Sequence, residues 1–582
     1  MPRITWSIVL LAALIPAVAA AQTAPPSGTA STPPFGTGRP GLPPRDTPAA
    51  AAKPATGKIR GRVVAAETSA PLRRAQVTLL AGQMGVRRMT TTDANGRYEF
   101  AEVGEGRYNL SAGKGGYVTL QYGQRRAFEP GSQVAIADGQ DLTQVDFSLP
   151  RGSVIAGRIT DEFGEPIAGA QIQVQRYQYT PGGQRRLVFA GGTGFVLTDD
   201  RGEFRAYGLM PGGYIVSGIV RQPMPQGNVN TNDSTEGYAP TFYPGTPNPA
   251  EAEVLTLGLA QEMSIQLTLQ AARMARITGT VTDSNGQPVR DGRVIVRSAS
   301  GEGMMFNATG GAINAAGAFA LSNVPPGDHF IEVVTQGRGR GDAAPEAASV
   351  QVQVSSEDIN GLRLTTAPAA SISGVVVFEG ESSRNGVLGG LRVTTQSAEP
   401  QRQMMFLGGG FDERGRVGDD GRFELRGTGK VFFRAINLGA WMLKRVTLEG
   451  EDITDVPLDL TGVTNVDGLR VVLTDRLTDV SGVVRDERKQ SLKEFVVVMQ
   501  PAEEVPTNAL QRFLRAARPD QDGKFGLKGI PPAEYIVTAV EALEQGDEWN
   551  PEYRARLRDA GRRFSVKEGE TLTLDLELSQ GL

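Results

Sequence analysis

The side chain best suited to acid–base or metal chemistry is a histidine. His329 is the only histidine among 582 residues, and it stands three residues before Glu332. A zinc peptidase site needs two histidines and a glutamate, and no cysteine is present to replace the missing ligand. The segment around His329 is also predicted to be a strand, in which residues three apart point to opposite faces. We therefore expect His329 to be a structural ring and expect neither a metal nor a cofactor.

Other catalytic patterns are weak or missing. No serine stands in a Gly-x-Ser-x-Gly pattern, and no Walker-type or dinucleotide-type glycine loop joins a strand to a helix. A glycosidase would need two acids about 5 to 10 Å apart in a cleft. The acidic pairs that stand out occupy one kind of hairpin turn, where they are predicted to cap the backbone, with a calcium site as the alternative. These pairs are Asp199 with Asp200, Asp419 with Asp420, and Asp520 with Asp522.

Aromatic residues are the best candidates for ligand contact. Two segments, 117–131 and 238–245, are rich in aromatic residues, and each ends in Pro-Gly. Exposed rings can stack on sugars or anchor a protein partner. The alternative is that these rings cover the end of a sandwich core, so the two hypotheses differ in whether the rings form an open platform. The candidate residues are Tyr122, Phe128, Tyr238, Phe242 and Tyr243.

These candidates lie on a repeated framework that begins with one strand pattern. Apolar residues alternate around a glycine, which is typical of a half-buried strand with no room for a side chain at one point. The pattern reads IRGRVV from Ile59, IAGRIT from Ile155, ITGTVT from Ile277, ISGVVV from Ile372 and VSGVVR from Val480.

Three further patterns follow in a constant order. The first is a hairpin turn followed by an aromatic residue, as in DANGRYEF from Asp93 and DQDGKFGL from Asp520. The second is a Pro/Gly turn before a strand, as in MPGGYIV from Met210, and the fourth copy lacks it. The third is a closing strand, as in LDLEL from Leu574. Many short strands separated by regular turns predict a two-sheet sandwich in each copy.

The predicted fold class is all-β, a tandem array of about five small Greek-key-like β-sandwich modules with minor helical insertions. The helices are expected in the last module, around residues 509–514 and 549–557. The predicted divisions are a signal peptide at 1–21, a Pro/Ala-rich linker at 22–57, module 1 at 58–150, module 2 at 151–272, module 3 at 273–367, a divergent module 4 at 368–476, and module 5 at 477–582.

Composition and the N-terminus predict export. Arg3, an apolar run over 6–15 and the small residues 19–21 resemble a secretory signal, and no later stretch is apolar enough to span a bilayer. We therefore expect a secreted or periplasmic protein without a transmembrane segment after cleavage, with association with the cell surface as the alternative. Acidic and basic residues number 64 and 60, so there is no electrostatic support for nucleic-acid binding. The absence of cysteine excludes disulfides.

The glycine-centred strand, the D-x-x-G-x-(F/Y) hairpin and the P-P-G-x-Y turn resemble the carboxypeptidase regulatory-like domain. That family has a transthyretin-like (prealbumin-like) sandwich and is also likened to starch-binding domains. The resemblance covers about residues 57 to 582, and the C-terminal part looks like large exported bacterial proteins with several such domains. It implies a non-catalytic, exported protein that binds a glycan. The alternative is a structural or protein-interaction scaffold with an envelope protein as partner.

Overall fold

The computed structural model describes residues 56–81, 87–192, 195–220, 236–290, 292–299, 309–335, 346–382, 384–398 and 415–581. The chain divides into two units, Met1–Lys53 and Pro54–Leu582, and the described residues all belong to the second. The predicted signal peptide and almost all of the predicted linker therefore lie outside the described residues. The predicted module boundaries remain predictions.

Module 1 is a sandwich of two sheets. In the first sheet β1 lies between β4, which is antiparallel to it, and the closing strands β8 and β9, which are parallel to it. The second sheet has the order β3-β2-β5, with β6 and β7 beside β5. Its strands are β1 (Gly57–Ala65), β2 (Gln76–Ala81), β3 (Arg87–Thr91), β4 (Arg97–Val103), β5 (Gly106–Gly113), β6 (Leu120–Gln121), β7 (Val134–Ile136), β8 (Asp141–Leu142) and β9 (Phe147–Leu149).

Module 2 repeats this plan. Its strands are β10 (Ser153–Thr160), β11 (Gln171–Tyr179), β12 (Arg185–Phe189), β13 (Phe195–Leu197), β14 (Glu203–Leu209), β15 (Gly212–Ile219), β16 (Glu236–Tyr238), β17 (Thr241–Phe242), β18 (Leu255–Leu257), β19 (Glu262–Thr268) and β20 (Ala271–Arg273), with a short 3-10 helix at Pro249–Glu251. The first sheet has the order β14-β10-β19. The second sheet places β11 between β15 and the strands β12 and β13, and β17 and β18 extend it beyond β15. A small ladder joins β16 to β20.

Module 3 has the same two layers. Its strands are β21 (Ala275–Thr282), β22 (Gly292–Ser298), β23 (Thr309–Ala312), β24 (Ala318–Val324), β25 (Gly327–Thr335), β26 (Glu346–Val354), β27 (Ile359–Thr365) and β28 (Ala367–Pro368). The sheet orders are β24-β21-β27 and β23-β22-β25-β26-β28.

Module 4 departs from the plan in one strand. Its elements are β29 (Ala370–Glu379), α1 (Asn385–Leu388), β30 (Arg392–Ser397), β31 (Arg422–Gly427), β32 (Lys430–Ile436), β33 (Met442–Leu448), β34 (Glu451–Asp452), β35 (Leu458–Asp459) and β36 (Asn465–Thr474). The strand β33 pairs with the closing strand β36, which gives a first sheet of order β31-β29-β36-β33-β34 and leaves β30-β32-β35 opposite. In module 3 the equivalent strand, β26, extends the second sheet instead.

Module 5 carries the predicted helices. Its elements are β37 (Asp479–Arg485), β38 (Val496–Pro501), α2 (Thr507–Phe513), β39 (Arg515–Ala517), β40 (Lys524–Lys528), β41 (Ala533–Val540), a 3-10 helix at Asp547–Trp549, α3 (Pro551–Ala560), β42 (Arg562–Val566) and β43 (Thr571–Glu577). The sheets are β40-β37-β43 and β39-β38-β41-β42. Leu510 of α2 and Leu557 of α3 pack with Val498 on the outer face of the second sheet. The all-β fold with minor helical insertions is thus confirmed.

The glycine of each first strand touches two other elements of its module. At Gly482 an added Cβ would lie 1.8 Å from the carbonyl oxygen of Leu574 and 2.9 Å from the ring of Phe525. The carbonyl belongs to the closing strand, and the ring follows the hairpin turn. Because backbone and a buried ring occupy this space, a side chain cannot be accommodated without moving a strand. The same arrangement occurs at Gly61, Gly157, Gly279 and Gly374.

A second shared feature is a ring that bonds back to the turn before it. The hydroxyl of Tyr214 donates to the carbonyl of Met210 at 2.6 Å, and that of Tyr535 donates to Pro531 at 2.7 Å. Both rings are fully buried. In both modules the bond spans four residues, so it fixes the Pro/Gly turn against the strand that follows.

Substituting the first-strand glycine should destabilise its module. We expect Gly374→Ala to lower the free energy of unfolding of module 4 by about 1 to 3 kcal/mol, because the new Cβ meets the Leu469 carbonyl at 2.2 Å. Gly389→Ala is the matched control, since a Cβ there meets nothing within 4 Å. The unfolding free energies of both variants are measured by urea titration, followed by the fluorescence of buried Trp441. The protein used starts at Gln22 and carries Trp549→Phe, so that Trp441 is its only tryptophan. Equal unfolding midpoints for the two variants would contradict the steric argument.

Candidate functional site: the junction of modules 1, 2 and 5

A loop of module 1 reaches the two other modules. Residues 122–131 leave β6, and Tyr122 anchors the start, with its ring edge-on to Phe147 at 6.1 Å between ring centres. Further along, Phe128 turns away from module 1 and lies edge-on to Tyr214 of module 2 at 6.1 Å. The Phe128 amide also donates to the sulfur of Met210. The loop therefore connects the core of module 1 to the turn of module 2 that Tyr214 fixes.

A buried ion pair joins the same loop to module 5. The side chains of Glu129 and Arg518 are 4% and 7% exposed, and their charged atoms lie 2.9 Å apart. Arg518 also donates to the carbonyl of Pro130 at 2.7 Å, and Glu129 accepts from the backbone amides of Arg125 and Arg126. Both charges thus have several partners, which a buried ion pair requires to offset the loss of hydration.

Arg176 of module 2 completes the junction. Its guanidinium lies 4.2 Å from the ring centre of Phe128 and 3.8 Å from the carboxylate of Glu544. The Gln545 amide of module 5 donates to the carbonyl of Phe128 at 2.9 Å. Burial lowers the pKa of Arg176 and raises the pKa of Glu544, and the attraction between the two opposes both shifts. The arrangement can hold the three modules together.

A second charged contact joins modules 4 and 5. Asp455 of module 4 pairs with Arg512 of α2 at 2.6 Å. Lys444 binds Glu379 of its own module at 2.8 Å and Glu568 of module 5 at 2.9 Å. Hydrogen bonding to Glu379 raises the pKa of Lys444, and hydrogen bonding to Lys444 lowers the pKa of Glu568. Module 5 therefore contacts modules 1, 2 and 4.

The five aromatic candidates do not share one surface. Tyr122 packs on the core of module 1, and Phe128, Tyr238 and Tyr243 pack on the core of module 2. These four are half-buried, whereas Phe242 is 2% exposed and packs with Leu187 and Ile215 on the outer face of the second sheet. The ring of Phe242 is not open to a sugar in this structure, and ligand contact by the other four remains a prediction. Sequence reasoning missed Glu129, Arg176 and Arg518, for which no local motif exists.

The histidine and the turn carboxylates have structural partners. The Nε2 of His329 lies 2.8 Å from the Pro325 carbonyl, the same four-residue bond that tyrosines make in modules 2 and 5. Glu332 pairs with Arg297 instead. The Asp199 carboxylate accepts from two backbone amides of its own turn, which lower its pKa. Within the described residues, no group of three or more His, Cys, Asp or Glu side chains is placed to hold a metal ion.

Comparison with known proteins finds a family that the first module resembles. Residues 58–150 match the family model of the carboxypeptidase regulatory-like domain. Module 1 is therefore similar to the carboxypeptidase regulatory-like domain. No curated protein sequence matches the chain. The loop that carries Phe128 and Glu129 lies within the matched residues, and it is the part of module 1 that contacts modules 2 and 5.

Solved structures are similar at low identity. The Bacillus anthracis TIE protein is 13% identical, covers 54% of this chain and 51% of its own, and has a TM-score of 0.15. The streptococcal ancillary pilin is 11% identical over 54% of this chain and 99% of its own, with a TM-score of 0.20. A candidate carbohydrate-binding protein of Pseudomonas aeruginosa is 15% identical over 16% of this chain and 87% of its own, with a TM-score of 0.14. The assignment of β-sandwich modules rests on the strand pairing of this chain.

The histidine ring should titrate below its ordinary range. Burial lowers the pKa of His329 from the usual value of about 6.5. The unfolded chain then binds more protons, so the stability of module 3 should fall as the pH decreases through about 6.5. Because the chain has one histidine, its imidazole signals in NMR have a single source, and they should also show a proton on Nε2 in the neutral ring. A pKa at or above 6.5 would contradict this assignment, and His329→Tyr should remove the pH dependence.

Breaking the buried ion pair should loosen the junction. In Arg518→Met the buried Glu129 loses its partner, and we expect a cost of about 3 to 5 kcal/mol. Hydrogen exchange should accelerate at the amides of Arg125, Arg126 and Gln545. Arg125→Met is the control, since its pair with Glu494 is 68% and 52% exposed and should contribute about 0 to 1 kcal/mol. Similar exchange in the two variants would show that burial of the pair is unimportant.

Proposed function

We propose that this protein is an exported, non-catalytic structural scaffold in which module 5 fixes the positions of modules 1, 2 and 4. The observation that carries the proposal is the buried pair of Glu129 and Arg518, which joins the first module to the last. A buried charge pair with fixed geometry gives positional specificity, because any other alignment leaves two charges without partners. Arg176 of module 2 and Arg512 of module 5 add charged contacts that join module 5 to modules 2 and 4.

The contacts that the aromatic side chains make within the chain favour a scaffold over a carbohydrate-binding protein. The ring of Phe128 packs against Tyr214 and Arg176, which belong to the same chain. Phe242 is enclosed by its own module. Aromatic anchors beside arginine are typical of contacts between protein surfaces, and here both surfaces are modules of one protein.

The non-catalytic interpretation is supported by what the reactive side chains do. His329 bonds to the Pro325 carbonyl, Glu332 pairs with Arg297, and the turn carboxylates receive backbone amides. Each of these groups has a structural use that explains its position.

Export and an envelope partner complete the proposal. The signal-like N-terminus and the absence of cysteine suit a protein that folds outside the cytoplasm without disulfides. No helix in the described ranges is both long enough and apolar enough to cross a lipid bilayer. The partner we propose is another protein of the cell envelope, which would bind to the surface of the docked modules.

Distance measurements between modules test the scaffold directly. The chain has no cysteine, so Asn95→Cys in module 1 and Arg488→Cys in module 5 place two spin labels without further changes. Both residues are exposed. Pulsed electron spin resonance should give one narrow distance distribution, because module 5 is docked. Arg518→Met should broaden the distribution, and Arg125→Met should leave it narrow. A broad distribution in the otherwise unchanged chain would overturn the proposal.

A further inference from the structure

The closing strand of module 5 leaves one edge of its sheet open. The sheet has the order β40-β37-β43, and β43 pairs with β37 in parallel without a register shift. The Asp479 amide donates to the Glu570 carbonyl, and the Leu578 amide donates to the Arg485 carbonyl, so the even-numbered residues of this stretch bond to β37. The odd-numbered residues direct their amides and carbonyls away from the sheet. We call these four residues the open edge: Thr571, Thr573, Asp575 and Glu577.

The backbone of the open edge has almost no partners within the chain. The Asp575 carbonyl lies 3.5 Å from a side-chain nitrogen of Arg562, which is longer than an ordinary hydrogen bond. The other amides and carbonyls of the open edge bond to no group of the described residues. Such a row of exposed backbone groups is a template on which another strand can pair.

Module 4 shows how the same edge is completed. Its closing strand β36 pairs with β29 on one side and with the antiparallel strand β33 on the other. The residues of β36 that face the core are all buried, with Val466 8% exposed and Leu473 0% exposed. The residues of module 5 at these two positions, Leu572 and Leu578, are half-buried. An antiparallel strand added beside β43 would therefore cover apolar surface that module 5 leaves exposed.

The closing strands of the other modules are interrupted or partly covered. In module 1 the strand is divided into β8 and β9, and in module 3 the pairing of β27 with β21 shifts register between Ile277 and Gly279. In module 2 the Ala239 amide donates to the Gln270 carbonyl just after β19, so the chain beyond β16 covers that end. Interruptions, proline and lysine are the usual protection of an edge strand, and β43 contains neither of these residues.

The docking of module 5 leaves the open edge accessible. Arg107 of module 1 approaches Gly526 on β40, which is the opposite edge of the same sheet. Helix α2 contacts module 4 through Arg512, and this helix packs on the second sheet. Module 4 also contacts the turn before β43, where Glu568 binds Lys444. The strand β43 itself extends away from that turn.

The sequence of β43 is complementary to a second copy of itself. It reads Thr-Leu-Thr-Leu-Asp-Leu-Glu. If two copies run antiparallel about a two-fold axis at Leu574, Thr573 lies opposite Asp575 of the second copy and Thr571 lies opposite Glu577 of the second copy. Each threonine hydroxyl can then donate to a carboxylate, and no like charges are opposed. On the core side, leucine lies opposite leucine at every position.

Other registers are less favourable. An axis at Asp575 would set this carboxylate opposite its own copy, which is repulsive. With the axis at Leu574, Asp575 keeps its ion pair with Arg485 and Glu577 keeps its ion pair with Lys489, so the contact adds no uncompensated charge. A two-fold pairing also uses both edges and closes the assembly at two copies.

We propose that two copies of this protein associate through β43 and form one continuous sheet of order β40-β37-β43-β43-β37-β40. The four residues of the open edge then exchange backbone hydrogen bonds with the four residues of the second copy. One strand pair makes a small interface, so the dimer should be weak and reversible.

Sedimentation equilibrium of the mature chain from Gln22, over a range of protein concentrations, tests the pairing. We expect a monomer–dimer equilibrium. Thr573→Pro should weaken the dimer at least about tenfold, because each copy loses a hydrogen bond across the axis. Proline is tolerated on an edge strand where the amide faces solvent, so module 5 should still fold. Ser264→Pro is the matched control, since Ser264 on β19 and Thr573 each precede the residue opposite the first-strand glycine, and it should leave the dimer unchanged.

Disulfide formation measures the register without proline. The chain has no cysteine, so Thr573→Cys in one preparation and Asp575→Cys in another introduce single thiols. In the proposed register the two thiols face each other in a hydrogen-bonded pair with Cα atoms about 5.5 Å apart, which a disulfide can bridge. Oxidation of the mixed proteins should give a linked dimer, and oxidation of either protein alone should not.

Either a monomer at every concentration or the absence of a disulfide in the mixture would overturn the pairing. A dimer that Thr573→Pro leaves intact, or that Ser264→Pro weakens equally, would place the contact elsewhere and would also overturn it. The pairing goes beyond the scaffold and does not depend on it. A monomer with a narrow distance distribution between modules would refute the dimer and leave the scaffold unaffected.

Discussion

Every module depends on the close approach of three elements at the glycine of its first strand. The closing strand runs parallel to the first strand, and at Gly61 the backbone just before it comes so near that a Cβ would lie 1.9 Å from the carbonyl oxygen of Val145. The hairpin ring covers the other side, 2.9 Å from the same point. Because the first and last strands are neighbours, each module begins and ends at the same sheet. The next module can then start within a few residues, as β10 does after β9.

Local patterns were sufficient to predict the sandwiches but not how they meet. The glycine strand, the hairpin and the Pro/Gly turn are each encoded within a dozen residues, and so are the helices of module 5. Contacts between modules are different, because Arg518 and Pro130 are 388 residues apart and neither belongs to a recognisable motif. The sequence also did not reveal that β33 pairs with the first sheet of module 4. The missing Pro/Gly turn marked that module as divergent without revealing its pairing.

The site was only partly predictable, because composition does not reveal burial. Aromatic residues in an insertion suggest ligand contact, but the sequence does not distinguish a ring that faces solvent from one that is buried against its own sheet, as Phe242 is. The glutamines of β11 show the converse case. Alternation of Gln with Ile and Val is typical of a strand with one wet face. Here the polar face is buried as well, and several of its amide atoms have no hydrogen-bond partner among the described residues.

The distance along the chain between the two halves of the junction has a consequence for biosynthesis. Glu129 and Phe128 leave the ribosome long before Arg518, and the separation of 388 residues between Arg518 and Pro130 sets the delay. At about 5 to 20 residues per second, translation leaves this loop uncovered for on the order of 20 to 80 s. During that interval the newly made domain presents a carboxylate and a ring whose final neighbours do not yet exist.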